Sequence, residues 1–339
     1  MNSVTKDDKC VEQVLPLVSI VILTYNQQKI LGRAIDSVLK QELNGLVEII
    51  IAEDCSTDNT RNICLDYKNK HPQTIRLLLQ PYNKGVMRNY FDALALCKGE
   101  FIAALAGDDY WSDIFKLQKQ IEYFINHPNI GLVYTDFDQY NESTGVIVKN
   151  CFESGVVPRI TSFEEMLLTR GYLGVLTWMF RSKFSPNKLA SRSDYVDESF
   201  VYALDMFKLS KIGYIPDSTA VRVIRQGSLS YQIDKKKKFA QEKGVFEIQK
   251  DYIQKYNVSQ DLTELVYSDN YFRLYQLALD VDNSEFISEA NAYFKSHNIS
   301  ITYFLKLEMK YKKYEHYYHK IEPLIDNRLG RYIKKLFIK

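Results

Sequence analysis

The segment Leu105-Ala106-Gly107-Asp108-Asp109-Tyr110-Trp111 sets two adjacent carboxylates and two aromatic rings where a short apolar run, Phe101 to Leu105, ends. Paired carboxylates at a strand end suit a divalent cation that carries phosphates. Hard cations take oxygen ligands and keep positions open for substrate oxygens. The competing reading is structural: such a pair also caps a following helix, here one expected from near Ser112 or Asp113. Three other stretches carry groups of a complementary kind. Thr24-Tyr25-Asn26 and Glu53-Asp54 each end an apolar run, and Asn83-Lys84-Gly85 precedes Arg88. Tyr25 can stack on a base, Asp54 can accept a base N–H, and Arg88 can offset phosphate charge. Thr24 or Asn26 could instead cap a helix, and Asp54 could serve a turn before Ser56.

For these groups to meet, ordered elements must carry them to one edge. Leu17 to Thr24 is a continuous apolar run, and Ile30 to Leu39 follows with helical spacing at Ile30, Ala34, Ile35, Val38 and Leu39. Val47 to Ala52 reads as a second buried strand, with Ser56 to Asn59 opening a helix through Tyr67. Ile75 to Leu79 reads as a third strand, Val86 to Cys97 as a helix, and Phe101 to Leu105 as a fourth strand. Repeated strand–helix units with near-continuous apolar strands predict an α/β fold with a mainly parallel sheet covered on both faces. Ligands of such sheets sit at the carboxyl ends of the strands, which is where Thr24, Asp54 and Asp108-Asp109 fall.

Composition narrows the class. The chain has 339 residues, 46% hydrophobic and 25% charged, which suits a folded main domain with an appendage. Its five cysteines, Cys10, Cys55, Cys64, Cys97 and Cys151, are odd in number and lack paired ligand spacing, so neither a disulfide framework nor a zinc site is expected. A reducing, cytoplasmic setting follows. Met1 to Gln13 lacks the basic-then-apolar pattern of a secretory signal, and no apolar run approaches the ~18 residues of a membrane span. A net charge of +2 gives no reason to expect nucleic acid as a partner.

The ordered segments Val18-Ser19-Ile20-Val21-Ile22-Leu23-Thr24-Tyr25-Asn26, Glu48 to Thr60 (EIIIAEDCSTDNT), Asn83-Lys84-Gly85 with Arg88-Asn89, and Lys98-Gly99-Glu100-Phe101-Ile102 leading into Gly107-Asp108-Asp109-Tyr110-Trp111 together resemble the family-2 glycosyltransferases, of the bacterial surface-polysaccharide type. The resemblance is close over about the first 110 residues and looser as far as Ser230. It implies a GT-A (Rossmann-like) fold, a nucleotide-diphosphate sugar donor, most often a UDP-sugar, a divalent metal (Mn or Mg) and inverting transfer to a hydroxyl of a glycan or lipid-linked glycan. By position it implies that Thr24, Tyr25 and Asp54 hold the base, that Arg88 lies near the base or diphosphate, that Asp108 faces the ribose or metal, and that Asp109 binds the metal. It assigns the base that takes the acceptor proton to Asp205, with Asp197 and Glu198 as neighbouring competitors; the structural alternative is a solvated or capping Asp205 on an amphipathic helix.

The chain departs from the family pattern in three segments. Ala106 stands where an acidic residue commonly opens the metal motif. Cys55 stands where glycine is usual, which predicts a loop without a positive φ. Val221 and Ile224 replace a tyrosine and a histidine in the segment Ala220 to Ser230, so no metal or diphosphate contact is carried over to Ile224.

The remaining elements fill in the acceptor side. Leu132 to Phe137, Val146 to Lys149 and Gly174 to Phe180 read as strands, and Thr161 to Glu165 as a helix start. Trp178 is either an acceptor platform, since sugar rings pack C–H faces on aromatics, or a core residue. The expected organisation is a flexible 1–15, a GT-A domain over 16–230 with a nucleotide part (16–112) and an acceptor part (113–230), and a helical, basic region over 231–339. Residues 301–339 hold ten Lys or Arg against four Asp or Glu. Within 325–339 a basic amphipathic face is available for peripheral contact with an anionic membrane, or for packing on the chain itself or in an oligomer. Two rival functions stay open: a nucleotidyltransferase, disfavoured because Thr24-Tyr25-Asn26-Gln27-Gln28 is neither glycine-rich nor basic, and a non-catalytic nucleotide-sugar or glycan binder.

Overall fold

The computed structural model describes residues 17–185, 195–225 and 234–297. In chain order its elements are β1 (Leu17–Thr24), α1 (Leu31–Leu39), β2 (Leu46–Glu53), α2 (Thr60–Lys70), β3 (Ile75–Leu79), α3 (Val86–Leu94), β4 (Phe101–Ala106), β5 (Tyr110–Trp111), α4 (Lys116–Asn126) and β6 (Ile130–Asn141). They continue with β7 (Ile147–Val148), α5 (Phe163–Thr169), β8 (Met179–Arg181), α6 (Glu198–Leu209), β9 (Lys211–Ile224), α7 (Lys235–Tyr256), α8 (Gln260–Asp280) and α9 (Ser284–Ser296). The described chain forms two compact units, one of residues 17–133 and 176–185, the other of 134–175, 195–225 and 234–297.

The first unit is built on parallel strands in the order β3-β2-β1-β4. Val18, Ile20, Val21 and Ile22 of β1 are wholly buried, on both faces of the strand, as the unbroken apolar run requires. Register brings the strand ends level: Thr24 pairs with Glu53, and Leu23 with Ala106. Helix α1 covers the sheet with Leu31, Ala34, Ile35 and Val38, the spacing of one helical face. Beyond β4 the sheet turns antiparallel, β8 pairing with β4 and then with the first residues of β6.

Several boundaries differ from expectation. Helix α3 stops at Leu94 rather than Cys97, and α4 begins at Lys116 rather than near Ser112. The expected strand over Gly174 to Phe180 is only Met179–Arg181, preceded by a 3-10 turn at Val175–Thr177. Gly174 takes φ +68°, and the carbonyls of Leu176 and Thr177 are taken by side chains, the Trp111 indole (2.8 Å) and the Gln120 amide (2.7 Å), instead of a neighbouring strand.

In the second unit β7 and β9 flank the rest of β6. Asp136 is fully buried and clamps a turn: its carboxylate accepts the N–H groups of Phe137 (2.7 Å), Phe152 (2.9 Å) and Glu153 (3.0 Å). Helix α5 begins with reciprocal caps, Ser162 Oγ accepting from Glu165 N (3.1 Å) and Glu165 accepting from Thr161 N (2.9 Å). Helices α7 to α9 share a core of Phe239, Phe246, Tyr271, Leu274 and Phe286. Among the described residues no helix is long and apolar enough to cross a membrane. Residues 1–16, 186–194, 226–233 and 298–339, including the basic face at 325–339, lie outside the described residues.

Candidate functional site

At the end of β1, Thr24 is buried and its hydroxyl donates to Gln27 Oε1 (2.8 Å), whereas Tyr25 is 42% exposed. Asn26 caps nothing. It adopts φ +52°, donates its N–H to Ser56 Oγ (2.9 Å) and accepts from Thr57 N (2.8 Å), so it ties the end of β1 to the loop after β2. Gln28 and the Asp58-Asn59 turn exchange further bonds across the same gap, at 3.2 and 3.0 Å.

The end of β2 is equally committed. Glu53 is fully buried, ion-paired with Arg61, and accepts from Ser56 N; Arg61 in turn donates to Gln80 O (2.7 Å). Asp54 accepts from Lys84 N (2.8 Å) with one oxygen and from Gly85 N (2.9 Å) with the other. The carboxylate therefore pins the Asn83–Gly85 loop and, through Gly85 at φ +81°, the start of α3. Buried Asn89 completes the support, donating to Ala52 O (3.0 Å) and accepting from Gln80 (3.1 Å). Arg88 remains exposed on the first turn of α3.

Cys55 corrects a sequence expectation: it adopts φ +60°, the left-handed conformation that glycine would take without strain. Cys55→Gly is expected to stabilise the chain by up to about 1 kcal/mol. Relief of left-handed strain, about 1–2 kcal/mol per residue, exceeds the extra unfolded-state entropy of glycine, about 0.4–1 kcal/mol. Thermal unfolding checks this. A fall in melting temperature would show that the Sγ contact to Pro81 O, at 3.7 Å, outweighs the strain.

The acidic turn after β4 hangs between two anchors. Upstream, Gly107 N donates to Leu23 O (2.8 Å). Downstream, Trp111 N donates to Ser37 Oγ (3.0 Å). Asp108 and Asp109 lie between, both half-buried, and exposed Arg33 lays its guanidinium 4.4 Å from the Tyr110 ring centre. The helix-capping reading of the pair does not hold, because α4 starts seven residues beyond Asp109 and the turn before it is held by Asp113, which accepts from Phe115 N (2.8 Å). Gly107 is required for space. A Cβ there would lie 3.1 Å from both Leu23 O and Leu31 Cδ1 and against Gln27 Oε1, and the Leu23 carbonyl cannot retreat without stretching its bond to Gly107 N. Gly107→Ala is expected to cost about 1–3 kcal/mol of stability, read by denaturant unfolding; an unchanged midpoint would refute the close approach.

Among the described residues no three His, Cys, Asp or Glu side chains converge as a ready-made metal cage. Two half-buried carboxylates on one turn fit the other mode, in which a Mg or Mn ion takes one or two protein oxygens and completes its shell with phosphate and water. Ala106, exposed at the start of the turn, adds no ligand.

In the second unit Asp205 is 2% exposed on α6, its carboxylate 3.3 Å from Lys255 Nζ of α7. Burial pushes the Tyr252 phenol far up, and the neighbouring Asp205 carboxylate adds to it. The Lys255 ammonium is held above its ordinary range; burial works against this and the Asp205 charge outweighs it. Asp197 is the N-cap of α6, accepting from Phe200 N (3.0 Å) and Ser199 Oγ (2.8 Å). Trp178, in the first unit, is 3% exposed and presents no free ring face. Sequence reasoning did not single out Arg33, Arg61, Gln80 or Asn89 as supports, because their partners lie 8 to 75 residues away.

Residues 19–186 match the family model described as glycosyl transferase family 2. The chain is 32% identical over 161 residues, 48% of its length and 58% of the relative's, to the UDP-Glc:alpha-D-GlcNAc-diphosphoundecaprenol beta-1,3-glucosyltransferase WfgD of Escherichia coli. Curated relatives from Mycobacterium bovis and Nostoc are matched over only about a third of their length. Its fold is similar to that of TarS residues 1–349 of S. aureus in complex with UDP-GlcNAc, with a TM-score of 0.56 at 17% identity, covering 76% of this chain and 72% of that one. It is similar also to the mannosyltransferase PcManGT of Pyrobaculum calidifontis in complex with GDP-Man and Mn2+, with a TM-score of 0.55 at 13% identity, covering 91% and 83%. The ordered motifs along β1 to β4, the GT-A architecture that positions them and the family match together identify residues 19–186 as a glycosyl transferase family 2 domain.

Proposed function

We propose that the chain transfers a sugar, with inversion, from a nucleotide-diphosphate donor to a hydroxyl of a glycan or lipid-linked glycan during surface-polysaccharide synthesis. The observation that carries this reading is the convergence of Tyr25, the Asp54-pinned loop with Arg88, and Asp108-Asp109 on one edge of the parallel strands. A uridine donor is assigned, supported by the UDP-Glc and UDP-GlcNAc in the names of the E. coli and S. aureus proteins. The diphosphoundecaprenol in the E. coli name supports a lipid-linked acceptor, and with it a place at the inner face of the plasma membrane.

Chemically, Tyr25 offers a stacking face to the base, while the loop held by Asp54 presents Arg88 to the diphosphate. The acceptor oxygen forms a bond to the anomeric carbon from the face opposite the diphosphate. The bond from that carbon to the diphosphate oxygen breaks, and the nucleoside diphosphate leaves with the electron pair. Asp205 is assigned to take the acceptor proton, which requires its carboxylate to exchange Lys255 for the acceptor hydroxyl. Asp109, with Asp108 beside it, would hold a Mg or Mn ion, whose contribution when bound is Lewis-acid stabilisation of charge on the departing phosphates. Manganese in the Pyrobaculum complex supports that choice.

Ala106 and the ion pair at Asp205 favour one second reading, a non-catalytic nucleotide-sugar binder. A thermal-shift panel of UDP, TDP and GDP with Mn2+, Mg2+ or chelator, followed by a UDP-sugar hydrolysis assay, separates the two. Metal-dependent stabilisation by one diphosphate with slow hydrolysis of its sugar supports the transferase. Binding without any hydrolysis supports the binder, and no stabilisation by any nucleotide overturns both.

A further inference from the structure

Lys116 opens α4 with no solvent exposure at all. Its Nζ donates to a neutral acceptor, Gln120 Oε1, at 2.6 Å and lies 4.5 Å from the Trp111 ring centre. Burial brings the amine down to about 7, the Asp113 carboxylate working in the opposite direction. Asp113 is itself paired with Lys119 at 2.7 Å. An interior amine without a carboxylate in contact is costly, and an apolar chain of the same length would fold as well or better. Its place in the fold supplies another reason to keep it. Trp111 closes the acidic turn, and its indole N–H donates to Leu176 O (2.8 Å). Gln120 donates to Thr177 O (2.7 Å) and Val133 O (3.3 Å). Lys116 thus joins the two side chains that grip Leu176 and Thr177, at the downstream anchor of a turn whose upstream anchor is Gly107.

We propose that Lys116 is a positioning residue for the acidic turn: seated on the Trp111 indole and tied to Gln120, its buried amine fixes the downstream end of the turn so that Asp108 and Asp109 meet a divalent cation as a preformed pair. This rests on the reading of that pair as the metal site. The amine itself touches neither substrate nor ion.

The test is Mn2+ binding to the whole chain in the presence of UDP, followed by the free Mn2+ electron paramagnetic resonance signal, for the parent, Lys116→Met and Asp109→Ala. Lys116→Met is expected to keep its melting temperature within a few degrees yet weaken Mn2+ binding by about 10-fold or more, the scale on which supporting shells act on metal affinity. Binding within twofold of the parent, with Asp109→Ala still losing the ion, overturns the proposal alone. Failure of the parent to bind Mn2+, or binding unaffected by Asp109→Ala, overturns the metal reading and this proposal with it. If Lys116→Met does not fold, the parent sequence decides through Trp178→Phe, which leaves Trp111 as the sole indole. Its emission and the Mn2+ affinity are then expected to change together between pH 6 and about 8.5, as the amine loses its proton. A shift in neither, or in emission alone, overturns the proposal.

Discussion

Asp109→Ala is expected to abolish the metal-dependent part of nucleotide binding and to lower sugar transfer by about 10²- to 10³-fold, the scale of losing one preorganised group that stabilises developing charge. The expectation follows from how little else the turn provides. Ala106 contributes no oxygen, no third acidic, histidine or cysteine ligand joins the pair among the described residues, and Asp108 alone would leave the ion held by a single carboxylate. Asp109 is half-buried on a turn held independently by Gly107 and Trp111, so the substitution should not disturb folding. UDP thermal shifts with Mn2+ and with chelator provide the check. The parent should show a difference between them and Asp109→Ala should not. An undiminished Mn2+-dependent shift in the variant would move the metal to Asp108 or away from the turn altogether.

Asp205→Asn is the second large effect. As the assigned base, Asp205 should contribute about 10²- to 10⁴-fold to turnover, so the variant should lose kcat while donor binding stays within twofold. Its cost in stability should be modest despite the burial. The Asn side chain fills the same volume, and Lys255, whose side chain is 52% exposed, can turn its ammonium to water instead of being stranded. A structural role gives the reverse pattern: a lower melting temperature and an unchanged kcat in the folded protein. Asp197→Asn, measured beside it, distinguishes the neighbouring candidate. Loss of turnover there, with Asp205→Asn active, would reassign the base to the cap of α6.

The central strand β1 was legible because burial on both faces leaves a near-continuous apolar run, and it spans the whole of Leu17–Thr24. The outer strand β3 also keeps its expected bounds, Ile75–Leu79, although only Ile75 of it is buried. The Gly174 to Phe180 stretch misled because its apolar pattern is that of any buried segment, and what makes it a turn is two side-chain donors, Trp111 and Gln120, from elsewhere in the chain. In the candidate site, residue types could nominate Asp54 but not disclose that both its oxygens serve backbone donors 30 and 31 residues away. Cys55 shows the limit of substitution logic. The absence of glycine suggested an ordinary φ, yet the surrounding loop holds a cysteine in the left-handed region. Lys116 went unnoticed because a lysine four residues before a glutamine reads as a surface pair, and only burial makes it exceptional.

The loops at the strand ends are cross-tied: Asn26 to Ser56 and Thr57, Gln28 to Asp58 and Asn59, Asp54 to Lys84 and Gly85. A substitution in any one of them withdraws a partner from another, so the loops around the proposed base pocket respond as a set. Donor preference in this chain should therefore evolve by paired changes on two loops, and laboratory libraries that vary a single loop should mostly recover the parental nucleotide or lose binding.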